Sequence, residues 1–371
     1  MSEEEPKTYQ PAADAWESKP TDYDMDDSDE DLRRWSNLAP VLRDCRVTVV
    51  KAYHAADSAA MRYQRRHRRL VLVAAVCGAL AVLFAIVQLY YWSLLEKPLI
   101  VAIVLHERWV GWVEFVAAGV AVVAVGFGLW AAFSSKWLLE REKAERYRLL
   151  KFRFLIHPSR WSGAMSEKRR QQLRDEMKPV QTLDEKGLEG WARGEGEVLE
   201  LDPPEEAPAD IDEAVLSELI DYYKERRLNR QQQYCARQAS KSSFWERRTR
   251  FAPHWLFFLS IMAALLHFAY DKLWRSHDNM GPDTLSLTLI LFAACFPVLG
   301  AAVRTWRAAN EFGRNTLRLE ATSNRLKRLA SDLRKEDDPR LKLEILQVVE
   351  RVLEVERREW LRLMKEAEWF G

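Results

Sequence analysis

Residues 70–92 form an unbroken stretch of 23 residues without a charged side chain, and this stretch limits the possible folds most strongly. A helix that crosses a hydrocarbon core of about 30 Å needs about 20 consecutive apolar residues. A second uncharged stretch covers 115–133, and a later pair covers 252–270 and 285–303. Tryptophan and tyrosine residues stand at the ends of these stretches, as is typical of membrane interfaces.

The four stretches predict the fold class. We expect an all-α integral membrane protein with two transmembrane helical hairpins and long cytoplasmic helices. Glycine and proline are sparse, at 14 each in 371 residues, and alternating patterns are scarce, which argues against strands. A buried helix in a soluble protein is the alternative interpretation, but little else in the chain could cover such helices. The four spans are predicted at about 70–92, 112–133, 252–270 and 285–303.

Clusters of arginine flank each predicted hairpin, whereas the two connecting loops hold few basic residues. The positive-inside rule therefore predicts that both termini and the central segment are cytoplasmic. The clusters have two interpretations. They contact anionic lipid headgroups, or they line a vestibule that attracts an anion or a nucleotide signal. We call them the basic collars, and they consist of Arg65, Arg66 and Arg68 before the first hairpin and Arg247, Arg248 and Arg250 before the second.

Charge balance and cysteine spacing exclude several classes of protein. The chain has 56 basic and 55 acidic side chains, and this net charge of +1 disfavours a nucleic-acid-binding protein. Four cysteines without framework spacing exclude a secreted disulfide scaffold, and we expect them to be reduced. The sequence shows no phosphate-binding loop, zinc-like Cys/His spacing or nucleophile elbow. We therefore expect no enzymatic activity, catalytic residue, cofactor or metal.

Composition divides the chain into four segments. Residues 1–31 are predicted to be an acidic disordered tail, because they hold too little apolar surface to fold. Residues 32–180 and 210–371 are predicted to be two helical modules with two spans each. The glycine- and proline-containing segment 181–209 is predicted to be a flexible linker. Asp210 is predicted to cap the helix after it, and Asp338-Pro339 to begin the last helix.

The two modules have a similar plan, which predicts a tandem repeat. The sequences Tyr63-Gln-Arg-Arg-His-Arg68 and Trp245-Glu-Arg-Arg-Thr-Arg250 share an aromatic-x-Arg-Arg-x-Arg pattern, and each directly precedes a hairpin. A Trp-x4-Glu pattern follows each hairpin. The alternative is that two unrelated hairpins carry similar collars because the positive-inside rule imposes them on both.

Four further segments carry a resemblance to a known family. They are rich in Arg, Gln, Tyr and Trp and cover 143–148, 222–234, 304–314 and 355–361. Lys143-Ala-Glu-Arg-Tyr-Arg148 is similar to a trailing-helix element of the SLATT family, the two-transmembrane effector domains associated with SMODS and SLOG proteins. Tyr222–Tyr234 resembles that family's leading helix. The chain thus resembles two SLATT-like units in tandem.

This resemblance implies a location and partners. It implies a multi-pass protein of the bacterial inner (plasma) membrane that acts as an effector in a conflict or nucleotide-signalling system. The family is thought to open membrane pores, and it supplies no catalytic residues to compare. The implied partners are a cytosolic nucleotide-signalling protein, other copies of the chain and a bilayer with anionic headgroups.

A few residues in the spans are candidates for pore lining or gating. Glu114 is the only acid that borders the apolar part of the second span, so it either faces a pore or lies at the outer interface beside Trp112. Gln88 either lines a pore or forms a hydrogen bond between helices. Pro297 is expected to kink the fourth span, which makes it a structural bend or a gating hinge.

Small residues recur at spacings of three and four in the first two spans. Gly78 and Ala81 share one face of the first span, and Ala121 and Gly128 share one face of the second. Such faces allow the backbones of spanning helices to approach closely, so we expect them to pack within the hairpin or between copies.

These observations lead to two hypotheses from different classes. The first is a pore-forming or membrane-permeabilising effector that oligomerises. The second is a non-conducting membrane scaffold whose cytoplasmic helices recruit partners, with the last helix providing a near-heptad apolar seam.

Overall fold

A computed structural model describes residues 24–94, 100–193, 211–273, 284–310 and 312–366. Within these ranges the regular structure is helical, with no strand. The α-helices are α1 (Asp29–Arg34), α2 (Ala39–Cys45), α3 (Lys51–Leu94), α4 (Ile100–Ala131), α5 (Phe133–Leu155), α6 (Ser166–Gln181), α7 (Glu185–Arg193), α8 (Glu213–Tyr223), α9 (Asn229–Thr249), α10 (Ala252–Leu273), α11 (Thr284–Asn310), α12 (Phe312–Lys335) and α13 (Pro339–Glu366).

Within the described ranges, four helical segments are long and apolar enough to cross a membrane, as the sequence predicts. They contain the apolar parts of α3, α4, α10 and α11. The connection between α3 and α4 is shorter than expected, because α4 already begins at Ile100 rather than near residue 112. The apolar run 100–105 continues the helical pattern, which explains the earlier start.

The end of α4 is set by Ala132, which adopts a φ angle of 49°. This left-handed conformation is unfavourable for a residue with a side chain, and it interrupts the helix between Ala131 and Phe133. Lys136 donates from Nζ to the carbonyl oxygen of Ala131 at 3.0 Å, which satisfies one of the last carbonyls of α4. The predicted second span, which ran to Phe133, therefore ends two residues earlier.

The described residues divide into two compact units, and both units draw on both halves of the chain. The helical unit contains 24–57, 141–193, 211–234 and 322–358. The hairpin unit contains 58–94, 100–140, 235–273, 284–310, 312–321 and 359–366. The prediction of two sequential modules, 32–180 and 210–371, therefore does not describe the compact units. The compact units consist of residues that lie close together in space. The division predicted from the sequence was instead placed at the polar segment 181–209.

The core of the helical unit is built by amphipathic helices. In α13, Leu343, Leu346, Val349 and Leu353 recur at three- and four-residue spacings and are buried. The helix begins as predicted, because Asp338 Oδ1 accepts from the Arg340 backbone at 2.9 Å. Aromatic side chains complete the core, which includes Tyr53, Phe152, Phe154, Tyr222 and Tyr223.

The acidic segment before α1 is ordered from residue 24 onward, so the disordered-tail prediction fails for 24–31. Ser28 caps α1 through a capping box with Asp31, in which each side chain bonds the other's backbone nitrogen. Asp24 and Asp27 are only 4% and 3% exposed. The composition argument missed their buried cationic partners, which come from distant parts of the sequence. Residues 1–23 lie outside the described residues.

The predicted linker 181–209 contains part of a helix. Helix α7 covers Glu185–Arg193, and its Leu188 is 1% exposed. The rest of that prediction, from residue 194 onward, lies outside the described residues. The next helix, α8, is capped by Asp212 rather than Asp210, since Asp212 Oδ1 accepts from the Ala214 backbone at 2.9 Å.

The two halves of the chain share an unusual element. A five-residue π-helical segment, Arg46–Val50, joins α2 to α3, and another, Lys224–Leu228, joins α8 to α9. In each half a short helix and a π-helical segment therefore precede the longer helix that contains collar residues, α3 in the first half and α9 in the second. Such segments are rare and often occur at functional sites. This recurring order is consistent with a tandem repeat, and it is independent of the collar motifs. The repeat itself stays a prediction.

Candidate functional site

The structure brings two of the predicted pore residues, Gln88 and Glu114, together in the first hairpin. With its amide oriented to satisfy both groups, Gln88 donates to Glu114 Oε2 at 2.8 Å and accepts from the Gly111 backbone nitrogen at 3.1 Å. A Cβ atom added at Gly111 would lie 3.1 Å from the end of the Gln88 amide, so glycine allows this close approach. The side chain of Glu114 is half-buried.

The pair lies toward the end of the hairpin that is distant from the collar. Gln88 follows Leu70 by 18 residues, which corresponds to about 27 Å along a helix that rises about 1.5 Å per residue. A hydrocarbon core is about 30 Å thick. Trp109 and Trp112 lie in the same region and are 70% and 63% exposed, as expected for an interfacial belt. In a bilayer whose hydrocarbon core begins at Leu70, this distance would put Glu114 close to the opposite interface.

The second hairpin is held by polar contacts between α10 and α11. Ser260 donates to the carbonyl oxygen of Ala293 at 2.7 Å, and Ser286 lies 3.0 Å from His267 Nδ1. At Gly300, an added Cβ would lie 3.5 Å from the carbonyl oxygen of Pro253. Helix α11 continues through Pro297 to Asn310. A gating role for Pro297 stays a prediction.

The small residues of the first hairpin differ in burial. Gly128 is buried and Ala121 half-buried on α4, with Ala124 between them 5% exposed. On α3, Ala81 is half-buried, but a Cβ added at Gly78 would meet no atom within 4 Å. Among the described residues, no atom closely approaches Gly78, whereas Ala124 and Gly128 of α4 are buried.

The basic collars are exposed, and some of their guanidinium groups lie over aromatic rings. The carbon of the Arg66 guanidinium is 5.9 Å from the Phe133 ring centre, and that of Arg248 is 4.4 Å from the Phe244 ring centre. Such cation–π contacts fix the side chains while their charge remains accessible. All six predicted collar residues are exposed: Arg65, Arg66, Arg68, Arg247, Arg248 and Arg250.

Sequence reasoning missed a network of buried charges in the helical unit. Lys151 of α5 is fully buried and donates to Asp27 Oδ2 at 2.8 Å and to the carbonyl oxygens of Asp24 and Met25 at 3.0 Å. Tyr222 donates to the other oxygen of Asp27 at 2.8 Å. This arrangement ties the acidic segment to α5 and α8.

A second part of the network centres on Glu350 of α13. Arg227, in the second π-helical segment, binds both of its carboxylate oxygens, at 2.9 Å and 3.1 Å. Tyr223 donates to Glu350 Oε1 at 2.5 Å. Burial, together with the Glu350 carboxylate, raises the pKa of Tyr223 well above its ordinary value, so the phenol remains a donor. Bidentate pairing of this kind fixes geometry as well as charge.

A third part of the network joins α5 to α13. Glu142 is fully buried and accepts from Arg146 at 2.7 Å and from Arg357 at 2.6 Å. One turn along α5, Glu145 binds Arg141 at 2.5 Å and Arg148 at 2.7 Å. Although burial opposes ionisation, the neighbouring arginines lower the pKa of Glu145 to about 2.

A separate buried acid, Asp44 of α2, binds α6. Asp44 is 1% exposed and accepts from Ser166 at 2.6 Å, from Arg169 at 2.8 Å and from Arg170 at 2.7 Å. Burial acts to raise the pKa of Asp44, but these three hydrogen bonds lower it below its ordinary value. The neighbouring Cys45 is fully buried, and burial raises the pKa of its thiol to about 12.

Residues 51–168 match the model of a family described as a protein of unknown function (DUF4231). The matched part covers about a third of the chain and includes the first collar, the first hairpin with Gln88 and Glu114, and all of α5. No curated protein and no solved structure matches the chain. The matched part of the chain thus contains the polar pair, and the description of the family names no activity.

Proposed function

We propose that the protein is a membrane effector that oligomerises and permeabilises a bilayer through its helical hairpins. The observation that carries this proposal is the hydrogen-bonded pair of Glu114 and Gln88 in a hairpin whose facing surfaces are otherwise apolar. Ionisable groups in spanning helices are costly, and they commonly mark ion pathways. The resemblance to SLATT domains supports a bacterial plasma-membrane effector with two hairpin modules in tandem and cytoplasmic termini.

The position of the pair suggests how it acts. In an oligomer, one Glu114 from each copy would form an acidic ring at the pore mouth distant from the collars. Such a ring concentrates cations where a pathway begins. The stretches 70–92 and 115–133 carry no charged side chain, so conduction along them would require hydrophobic gating by wetting and dewetting. Gln88 would hold the carboxylate in place through its hydrogen bond.

The charged core supports a second feature of the proposal, control by a cytosolic signal. Buried ion pairs add little net stability, and their best-attested use is to fix one arrangement or to act as a switch. The bonds of Lys151 and Arg227 join segments more than 120 residues apart in the sequence. A protein or nucleotide signal that competes for one of these charges would rearrange the helical unit.

A membrane-potential assay in bacteria tests the pore proposal. The full-length protein is induced beside the double variant Glu114→Leu/Gln88→Leu and the control Glu167→Gln, which changes an exposed acid of α6. Membrane insertion is matched between strains. We expect depolarisation by the parent and the control and none by the double variant. Equal depolarisation by all three would remove the pair from the pathway, and an unchanged potential in all three would favour the second candidate.

The second candidate is a non-conducting scaffold, and a separate observation favours it. Leu341, Val348 and Val355 of α13 are 45%, 42% and 47% exposed and recur every seven residues. An apolar stripe with this spacing is typical of a surface that pairs with another helix. The double variant Val348→Glu/Val355→Glu should then abolish recruitment of a partner without changing membrane potential. Leu317→Glu, at an exposed leucine outside the stripe, is the matched control.

A further inference from the structure

The first hairpin carries an open apolar groove of about 500 Å³. Leu70 and Val73 of α3 form one wall, and residues of α4 from Phe115 to Phe127 form the other. The α4 wall covers thirteen residues, and the first and last of them lie about 18 Å apart along the helix. Its walls are apolar side chains and glycine backbone, so the groove suits a hydrocarbon chain.

Gly119 lies in the middle of the groove and leaves it open. A Cβ atom added at Gly119 would meet no atom within 4 Å, so the chain's own side chains do not fill this space. Nearby, Val123 is 68% exposed although it lines the groove. In a bilayer this surface must be covered by lipid or by another helix.

The groove ends at the first basic collar. Arg69 directly precedes Leu70, and the Arg66 guanidinium lies over the ring of Phe133. That ring is 5.8 Å from the ring of Phe127, the last residue that lines the groove. Five exposed arginines lie within one short stretch here, and none forms an ion pair with a described residue: Arg62, Arg65, Arg66, Arg68 and Arg69.

We propose that this groove binds one acyl chain of an anionic phospholipid, whose phosphate is held by Arg66 and Arg69. The charge of the collar favours a lipid over a second copy of the hairpin. A second copy would bring another set of unpaired arginines to the same place, whereas an anionic headgroup neutralises them. The proposal requires only that the first hairpin lies in a bilayer, and it is independent of whether the protein conducts ions.

Photo-cross-linking identifies the occupant of the groove. A photoreactive amino acid replaces Val123 in the full-length protein, which is reconstituted into bilayers of phosphatidylglycerol and phosphatidylcholine. Mass spectrometry then measures the adducts. We expect phosphatidylglycerol adducts well above its share of the bilayer. The same probe at Val76, an exposed position of α3 outside the groove, should give adducts in proportion to bilayer composition.

Two pairs of matched variants test the two halves of the site. Gly119→Leu fills the groove and should abolish the enrichment, whereas Gly78→Leu, at an equally open glycine outside the groove, should not. Arg66→Gln/Arg69→Gln should lower the phosphatidylglycerol preference by roughly tenfold, because each basic residue near an anionic surface contributes to binding. Arg247→Gln/Arg248→Gln in the second collar should leave that preference unchanged.

Three results would overturn the proposal. The first is a chain-to-chain adduct from position 123, which would show that a second copy occupies the groove. The second is an adduct ratio equal to the bilayer composition. The third is an enrichment that persists in Gly119→Leu. If the pore assay fails but phosphatidylglycerol adducts are enriched at position 123, the lipid site is still supported. The two proposals can therefore be tested separately.

Discussion

The side-chain nitrogen of Gln88 lies 2.8 Å from Oε2 of Glu114, and this hydrogen bond joins the two polar positions that the sequence singles out in the first hairpin. Each residue alone has an ordinary explanation, as a contact between helices or as an interfacial acid. Together they hold a carboxylate in a defined place, beside a residue of α3 that lies about 27 Å along the helix from Leu70. The pair therefore becomes the most informative target for mutagenesis.

Loss of one partner of the Asp27–Lys151 ion pair should destabilise the fold more than loss of both partners. Asp27→Leu leaves a fully buried ammonium group without its carboxylate, and we expect a loss of about 3–5 kcal/mol in the free energy of unfolding. The double variant Asp27→Leu/Lys151→Met should recover most of this loss, because an apolar pair needs no desolvation of charge. Denaturation followed by tryptophan fluorescence measures both. Equal stability of the single variant and the parent would show that the acidic segment does not pack on α5.

Glu145 should make stability depend on pH in acid. Its pKa in the folded protein is about 2, below the ordinary value of 4.5, so folding favours the carboxylate. This contribution is complete above about pH 4.5 and is lost as the pH falls toward 2. Glu145→Gln should therefore be less stable than the parent at pH 6, and the difference should shrink between pH 4.5 and 3. A constant difference over this range would contradict the assignment, and Glu167→Gln serves as the exposed control.

Gly300 should limit the size of side chain that the second hairpin accepts. A Cβ atom there would lie 3.5 Å from the Pro253 carbonyl oxygen and 3.6 Å from Leu256 Cβ, which are ordinary contact distances. Gly300→Ala should thus be tolerated, whereas Gly300→Leu should separate α10 from α11 and lower the melting temperature. Overpacking of this kind typically costs about 1–3 kcal/mol. A melting temperature unchanged by leucine would show that the helices are not packed at this point.

Cys45 should be unreactive in the folded protein. The thiol is fully buried, and burial raises its pKa to about 12, so the reactive thiolate is scarce at neutral pH. A maleimide should label Cys45 only after denaturation. Peptide mapping by mass spectrometry identifies the labelled position, and rapid labelling under native conditions would contradict the burial of α2 against its neighbours.

The sequence predicted those features of the fold that depend on local pattern. The apolar stretches located the four membrane-spanning candidates, and Asp338-Pro339 located the start of α13, because hydrophobic length and capping chemistry are read within one segment. Ala132 could not be predicted, since alanine normally continues a helix. The end of α4 there depends on a strained conformation that local propensity does not encode.

The charged core was missed for a different reason. Residues such as Glu142, Arg148 and Lys151 lie on a helix so rich in charge that its pattern is typical of a solvated surface. Their partners come from a segment before α1 and from α13, far away in the sequence. Only the fold shows that the charges neutralise one another in the interior. The two π-helical segments likewise have no sequence signal beyond the similar order of the two halves.

Ion flux through the purified full-length protein in liposomes tests the central claim most directly. The parent is compared with Glu114→Gln, which keeps a hydrogen-bonding partner for Gln88 but removes the charge, and with Glu114→Leu/Gln88→Leu. The account predicts cation-selective flux for the parent, reduced cation preference for Glu114→Gln and little flux for the double variant. Flux with the same magnitude and selectivity in all three proteins would contradict a conduction path that passes Glu114.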